Sequence, residues 1–250
     1  MSLKSGVLFF SLCLTISFGV FASGNIKTNY SGSAGGYILA KPRKASIRGL
    51  FFKTRELEIG IGAQVIRVST ESDSVYQTFN QLDSTKDYVF EYNYPSDLRP
   101  KLVDSHIIIT GIQEVSDSKL SVGTEMTAAQ SREGFYSEGS REGSVVAVER
   151  WGGSTGLFDA VCNVFVIGDN GFNGKQPPVI YDQHGNQIPL NPNHVFYDRF
   201  DGYSIYDEAA CDFAERALKS ANVVEIDYSE DLVEVWDAVT HVVKSIRVVH

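Results

Sequence analysis

The chain has 250 residues, with 22 Lys and Arg against 31 Asp and Glu, a formal charge of −9 at neutral pH. The excess sits in one half: residues 23–117 hold 11 basic and 11 acidic side chains, whereas residues 118–250 hold 10 and 20. An acidic second half repels nucleic-acid phosphates and anionic lipid, and no stretch beyond the first 22 residues is apolar enough to span a bilayer, so neither a nucleic-acid partner nor an integral membrane segment is expected of the mature chain.

The N-terminus has the layout of a secretory signal peptide. Lys4 is followed by an apolar run from Gly6 to Phe21, closing on Val20-Phe21-Ala22 with cleavage expected after Ala22. Cys13 lies inside the apolar run rather than at its end, which disfavours a lipoprotein. The expected address is the periplasm or the extracellular space. Residues 23–43 read as a flexible N-terminal arm, and the basic cluster of Lys41, Arg43, Lys44 and Arg48 as a solvated strand start.

A first patterned domain spans 44–115. Strands are predicted at Ser46–Lys53, Leu57–Ile61 and Gln64–Ser69. Val75, Phe79 and Leu82 follow at helical spacing, with Ser72 or Asp73 available as N-cap. Tyr88, Phe90, Tyr92 and Tyr94 then alternate with Val89, Glu91 and Asn93, a strand with one buried face. Ile107–Ile112 is more continuously apolar and suits burial on both faces. Residues 116–142, rich in Ser, Glu and Gly, read as a linker.

The second domain, 143–250, repeats the order. Strands are predicted at Ser144–Arg150, around Leu157 and at Val161–Ile167. A polar insertion, 168–203, follows where the third strand passes to the helix. Ala210, Phe213, Ala214, Ala217 and Leu218 then place one apolar face on a helix over 206–220. Strands at Val223–Tyr228 and Val242–Val248 close the unit. Laid over each other without a gap, residues 89–115 and 223–249 share 7 identities in 27 positions, among them Val89 with Val223, Glu91 with Glu225, Tyr94 with Tyr228 and Ile112 with Ile246.

The order β-β-β-α-β-β thus occurs twice, each time over 70 residues once the 36-residue insertion is set aside. That order resembles the OB-fold, a five-stranded Greek-key barrel with its helix between the third and fourth strands. The resemblance implies a mainly β protein of two five-stranded OB-like barrels, each with one helix, the second with a long insertion. A pair of open α+β sandwiches is the alternative with the same elements.

Cys162 and Cys211 are the two cysteines beyond the leader, and an even pair in an exported chain is expected to form a disulfide. A cysteine nucleophile would instead need a positioned base, which the sequence does not display. Within the insertion, Pro178–Pro189 reads as a hairpin turning at His184-Gly185-Asn186. Tyr181, Asp182, His184, His194, Phe196 and Tyr197 make this excursion the candidate partner-contact loop. Asp182, His184, His194, Asp198 and Asp201 match no metal-binding spacing, and the run from Asp169 lacks the carboxylate that a calcium loop needs where Ile180 stands. Glu225 and Asp227 share one strand face and read as solvated surface. Gly152–Gly156 opens no helix and reads as a hairpin loop, and no nucleophile elbow, P-loop, zincin or dinucleotide fingerprint occurs. No catalytic, metal or cofactor residue is therefore assigned. The expected function is non-enzymatic binding or assembly, with a protein of the cell envelope or a secreted complex, or a glycan, as partner. A hydrolase or inhibitor with its site in the insertion is the alternative.

Overall fold

The structure is a computed structural model that describes residues 35–48, 54–94, 105, 107–128, 137–150, 160–168, 180–181, 187–188, 200–230 and 241–250. Among the described residues it is mainly β, with two helices and one mixed 11-stranded sheet. The expected signal peptide, most of the predicted arm and the stretch around Leu157 lie outside the described residues.

In the first unit, strands β1 (Gly35–Arg48), β2 (Thr54–Ile61) and β3 (Gln64–Thr70) precede helix α1 (Asp73–Gln81), and β4 (Tyr88–Asn93) and β5 (Ile108–Glu114) follow. β1 therefore begins inside the stretch expected to be an arm, nine residues before the predicted domain start. Ser72 caps α1 through its hydroxyl, which accepts from the Val75 N–H at 3.3 Å. A two-residue turn at Gly62, with φ of 55°, joins β2 to β3. The pairings close a circuit: β1–β2, β2–β3 and β5–β4 and β4–β1 are antiparallel, and Ser69 meets Ile108 in a parallel contact between β3 and β5.

The second unit begins with the short β6 (Glu125–Thr127), which pairs with the last strand, and continues with β7 (Ser137–Arg150) and β8 (Cys162–Ile167). Both β6 and the first six residues of β7 fall in the stretch read as a linker. The two-residue strands β9 (Ile180–Tyr181) and β10 (Gln187–Ile188) pair with each other, which matches the expected hairpin within the insertion. Then come β11 (Asp201–Ile205), helix α2 (Glu208–Lys219), β12 (Val223–Glu230) and β13 (His241–Val248). With β6 and the hairpin β9–β10 set aside, the third strand of this unit is thus β11. The insertion lies between the second and third strands, not between the third strand and the helix, and its last residues belong to a strand. Five residues reading Asp-Gly-Tyr-Ser-Ile carry too little alternation to mark a strand by pattern alone.

The two circuits agree ladder by ladder. Gly36 pairs with Tyr92 and Gly139 with Tyr228; Glu56 pairs with Ser69 and Asn163 with Ser204; Ser69 meets Ile108 and Ser204 meets Val242 in parallel. Their irregularities agree as well. The shift at Pro42/Lys44 corresponds to that at Val145/Ala147, and the shift at Glu91/Tyr92 to that at Asp227/Tyr228. This register equates Tyr228 with Tyr92, two residues from the partner that the gap-free sequence match assigns. A slip of two keeps every side chain on its own face, so the sequence pattern does not detect it.

The units are not separate. Along Gly35–Ile38, β1 also pairs with β7 at Arg150–Ala147, so the two circuits share one continuous sheet. Gly36 permits this: a Cβ there would lie 1.9 Å from the Val148 carbonyl oxygen. Each core takes residues from both units. Leu39 and Val89 of the first unit pack with the α2 residues Phe213, Ala214 and Ala217, while Val146, Ala147, Phe165, Ile167 and Phe200 of the second pack with Ile38, Phe90 and Ile107 of the first. That sharing buries β8 on both faces and buries Val89 on the face of β4 expected to meet water. β5, by contrast, is buried only at its start.

Candidate functional site

Because the registers agree, each inward position of one circuit can be set beside its counterpart in the other. Over most of the two circuits these positions are alike: Leu57 and Ile59 correspond to Val164 and Val166, and Phe90 to Ile226. At one end they are not. Ile38, Ile66, Val68, Tyr92 and Ile107 of the first unit correspond to Arg141, Asp201, Tyr203, Tyr228 and His241 of the second. The first five are at most 2% exposed. Four aliphatic side chains have been replaced by two charged groups, a phenol and an imidazole.

Chain continuity places this end opposite α2. Here the chain leaves β8 for the insertion and returns at Asp201, leaves β12 at Glu230 and returns at His241, and enters β7 at Ser137. Arg141 and Asp201 form an ion pair at 3.4 Å, with side chains 38% and 20% exposed. The Tyr203 and Tyr228 ring centroids lie 5.2 Å apart, and the Tyr228 and His241 rings meet edge-on at 4.8 Å. Gly139 makes room for the Tyr228 ring, since a Cβ there would fall 2.5 Å from its Cζ and hydroxyl oxygen. Tyr203 forms the floor at 3% exposure. Burial, then the charge of Asp201 and the neighbouring Tyr228, push its phenol above the usual range, and Arg141 opposes them only in part, so it stays a neutral donor. At the rim, Ser137 donates to Glu230 at 2.6 Å and Lys244 pairs with Glu138.

The corresponding end of the first unit is filled. Phe165, Ile167 and Phe200 of the second unit join the core that contains Ile38, Ile66, Val68, Tyr92 and Ile107. Glu149 enters from the same side. It pairs with Gly36 across the seam, is 2% exposed, hydrogen-bonds with Tyr94 and leaves its Oε2 without a partner. Burial pushes this carboxyl up to about 8, with the Tyr94 hydrogen bond acting weakly in the opposite direction. Behind it, Ser204 donates to Asn163 at 2.9 Å, just as Ser69 donates to Glu56 in the first unit at 2.8 Å.

The residues singled out by sequence fare differently. Cys162 and Cys211 form the expected disulfide, fully buried, which ties β8 to α2. Tyr181 lies in β9 opposite Gln187; Asp182, His184, His194, Phe196, Tyr197 and Asp198 lie outside the described residues, as does the run from Asp169. Asp201 is described, and its ion-pair partner is Arg141 rather than a further metal-ligating side chain. Among the described residues no three His, Cys, Asp or Glu side chains gather to hold a metal ion. Glu225 and Asp227 lie on the outer face: Glu225 accepts from Arg247 and Ser140, and Asp227 accepts from Ser245 at 3.0 Å. The Arg247 and Ser140 hydrogen bonds hold the Glu225 carboxyl below its ordinary range, as expected of a paired surface group. In the basic cluster, Lys41 donates to the Thr85 carbonyl at 3.0 Å.

Sequence reading missed Arg141, Tyr203, Tyr228 and His241 as a group. The available signal was the repeat itself, since a charge at a position that is isoleucine in the other copy marks a change of task. Reading it required the register of β7, whose expected strand Ser144–Arg150 omits the first seven residues, and of β11, which begins inside the stretch read as insertion. No protein-family model matches the chain, and no curated protein matches it.

Proposed function

We propose that this is an exported, non-enzymatic binding protein built from two barrels of the OB type, the first a scaffold and the second the binding unit. Support for the barrel reading comes from the closed circuits of pairings, the parallel contact between third and fifth strands and the helix between third and fourth. The buried disulfide fits export, as does the signal-peptide pattern before Ala22. Among the described residues no helix is long and apolar enough to cross a membrane.

One observation carries the binding reading: the replacement of Ile38, Ile66 and Ile107 by Arg141, Asp201 and His241 at equivalent inward positions. A charged pair inside a circuit costs free energy relative to aliphatic packing. Its retention at the end left uncovered by the other unit fits contact with a partner, either a protein of the cell envelope or a secreted assembly, or a glycan. The test is to put the first unit's residues into the second, as Arg141→Ile with Asp201→Ile. Crosslinking and recovery of partners from envelope and secreted fractions should be lost while the melting temperature is kept. Equal recovery by the wild type and the double variant would contradict the reading.

A further inference from the structure

We propose that residues 24–28 of the same chain dock as a short strand on the outer edge of β5, as β6 does on β13. The register that equates Tyr92 with Tyr228 also equates Gly111, Ile112 and Gln113 of β5 with Ser245, Ile246 and Arg247 of β13. In the second unit β6 lies along those three residues, with Thr127 opposite Ser245, Met126 opposite Ile246 and Glu125 opposite Arg247. The contact continues past the strand: Ala128 donates its N–H to the Lys244 carbonyl at 2.8 Å, and Val248 donates to the Thr124 carbonyl at 2.9 Å. Every second residue of an antiparallel strand bonds to the same neighbour, so Ile246 turns its N–H and carbonyl towards β6. The counterparts Ile112 and Glu114 turn theirs to the outer edge of β5. Beyond the single contact of Ile108 with Ser69, no strand pairs with that edge among the described residues. Burial follows pairing. Ile246 and Val248 are fully buried, whereas Ile112 is half-buried and Glu114 exposed. An edge of this kind is a template for a further strand.

The occupant is identified by chain order, pattern, charge and reach. β6 precedes β7, the counterpart of β1, so the counterpart of β6 lies before Gly35. There Asn25-Ile26-Lys27 repeats the polar–apolar–polar order of Glu125-Met126-Thr127. Met126 packs against the core beneath α2, and Ile26 set opposite Ile112 faces the core that Ile112 borders. Asp227 accepts a hydrogen bond from Ser245 at 3.0 Å. Its counterpart Glu91 meets Gly111 instead, where a Cβ would lie 3.1 Å from Oε2. Lys27 opposite Gly111 brings an ammonium to that carboxylate in place of the missing hydroxyl. From Gly35 the path crosses Asn93 and Ile108 to reach the edge beside Thr110. Three strand spacings across and two residues along amount to about 16 Å, and the chain from Thr28 to Gly35 can extend about 23 Å.

Backbone hydrogen exchange of the native protein tests this, with Ile246 as the internal reference. The Ile112 amide should exchange within about tenfold of the Ile246 amide. Ile26→Pro, which removes the facing N–H, should speed Ile112 at least about tenfold and leave Ile246 unchanged. Lys27→Glu, which sets a like charge beside Glu91, should act in the same direction. A second variant, Asn25→Cys with Gln113→Cys, joins a closely spaced cross-strand pair, and non-reducing peptide mass spectrometry should find that bridge within one chain. Fast exchange of Ile112 in the wild type would overturn the proposal. So would slow exchange untouched by both substitutions, because another segment then covers the edge. A bridge formed only between two chains would also overturn it, because the edge then serves a second copy.

Discussion

Glu149 and Arg141 are charged residues in one strand, turned to opposite faces, and their surroundings set them apart. Arg141 has Asp201 at 3.4 Å and partial access to water. Glu149 is fully buried over Gly36 and keeps its proton instead, its carboxyl raised from 4.5 to about 8. A raised carboxylate stabilises the fold below pH 4.5, and that contribution is lost as pH rises through about 8, because the unfolded chain releases the proton and the folded chain does not. Glu149→Gln should therefore match the wild type in urea unfolding at pH 5 and exceed it at pH 8 by an amount on the order of a few kcal/mol. Parallel pH profiles of the two proteins would mean that Glu149 is ionised in the folded state. None of this was legible in the sequence, where Glu149 is one polar residue in an apolar strand; burial comes from pairing with β1, more than a hundred residues away.

At the scale of elements, local signals were read well and non-local ones poorly. Helix α2 lies where the spacing of Ala210, Phe213, Ala214, Ala217 and Leu218 put it, and all five are buried. The cysteine pair was legible because the expected compartment and the even count together predict it. The pairing closes 49 residues of sequence separation, so removing it by Cys162→Ala with Cys211→Ala should cost about 4 kcal/mol by chain entropy. Melting with and without reductant checks this; a change under about 1 kcal/mol would contradict it. The same helix is also held by charge. Arg150 at the end of β7 faces Glu208, Asp212 and Glu215 on successive turns, with Glu215 at 13% exposure and Glu208 at 72%. Glu215→Gln should cost about 1–2 kcal/mol and Glu208→Gln under about 0.5 in denaturant unfolding. Equal effects would show that burial does not grade these pairs. The start of β1, the first half of β7 and the whole of β11 were not legible, since each depends on partners far along the chain. β1 opens on Gly-Gly where pattern reading sees a flexible arm, yet small residues are what the approach to Val148 demands.

For the whole molecule, the sequence shows two copies but not that they interlock. The second unit supplies Phe165, Ile167 and Phe200 to the core of the first, and the first supplies Leu39 and Val89 to the face beneath α2. One circuit is thereby filled at the end that the other leaves polar. This asymmetry is the central claim, and its plainest markers are the equivalent residues Tyr92 and Tyr228. Tyr92 is 2% exposed in the filled end, and Tyr228 lines the polar one. Nitration of the native folded protein with tetranitromethane, followed by peptide mass spectrometry, compares them within one molecule. The account predicts that Tyr228 is modified in the folded protein while Tyr92 reacts only after unfolding. Modification of both at the same rate, or of Tyr92 first, would contradict it.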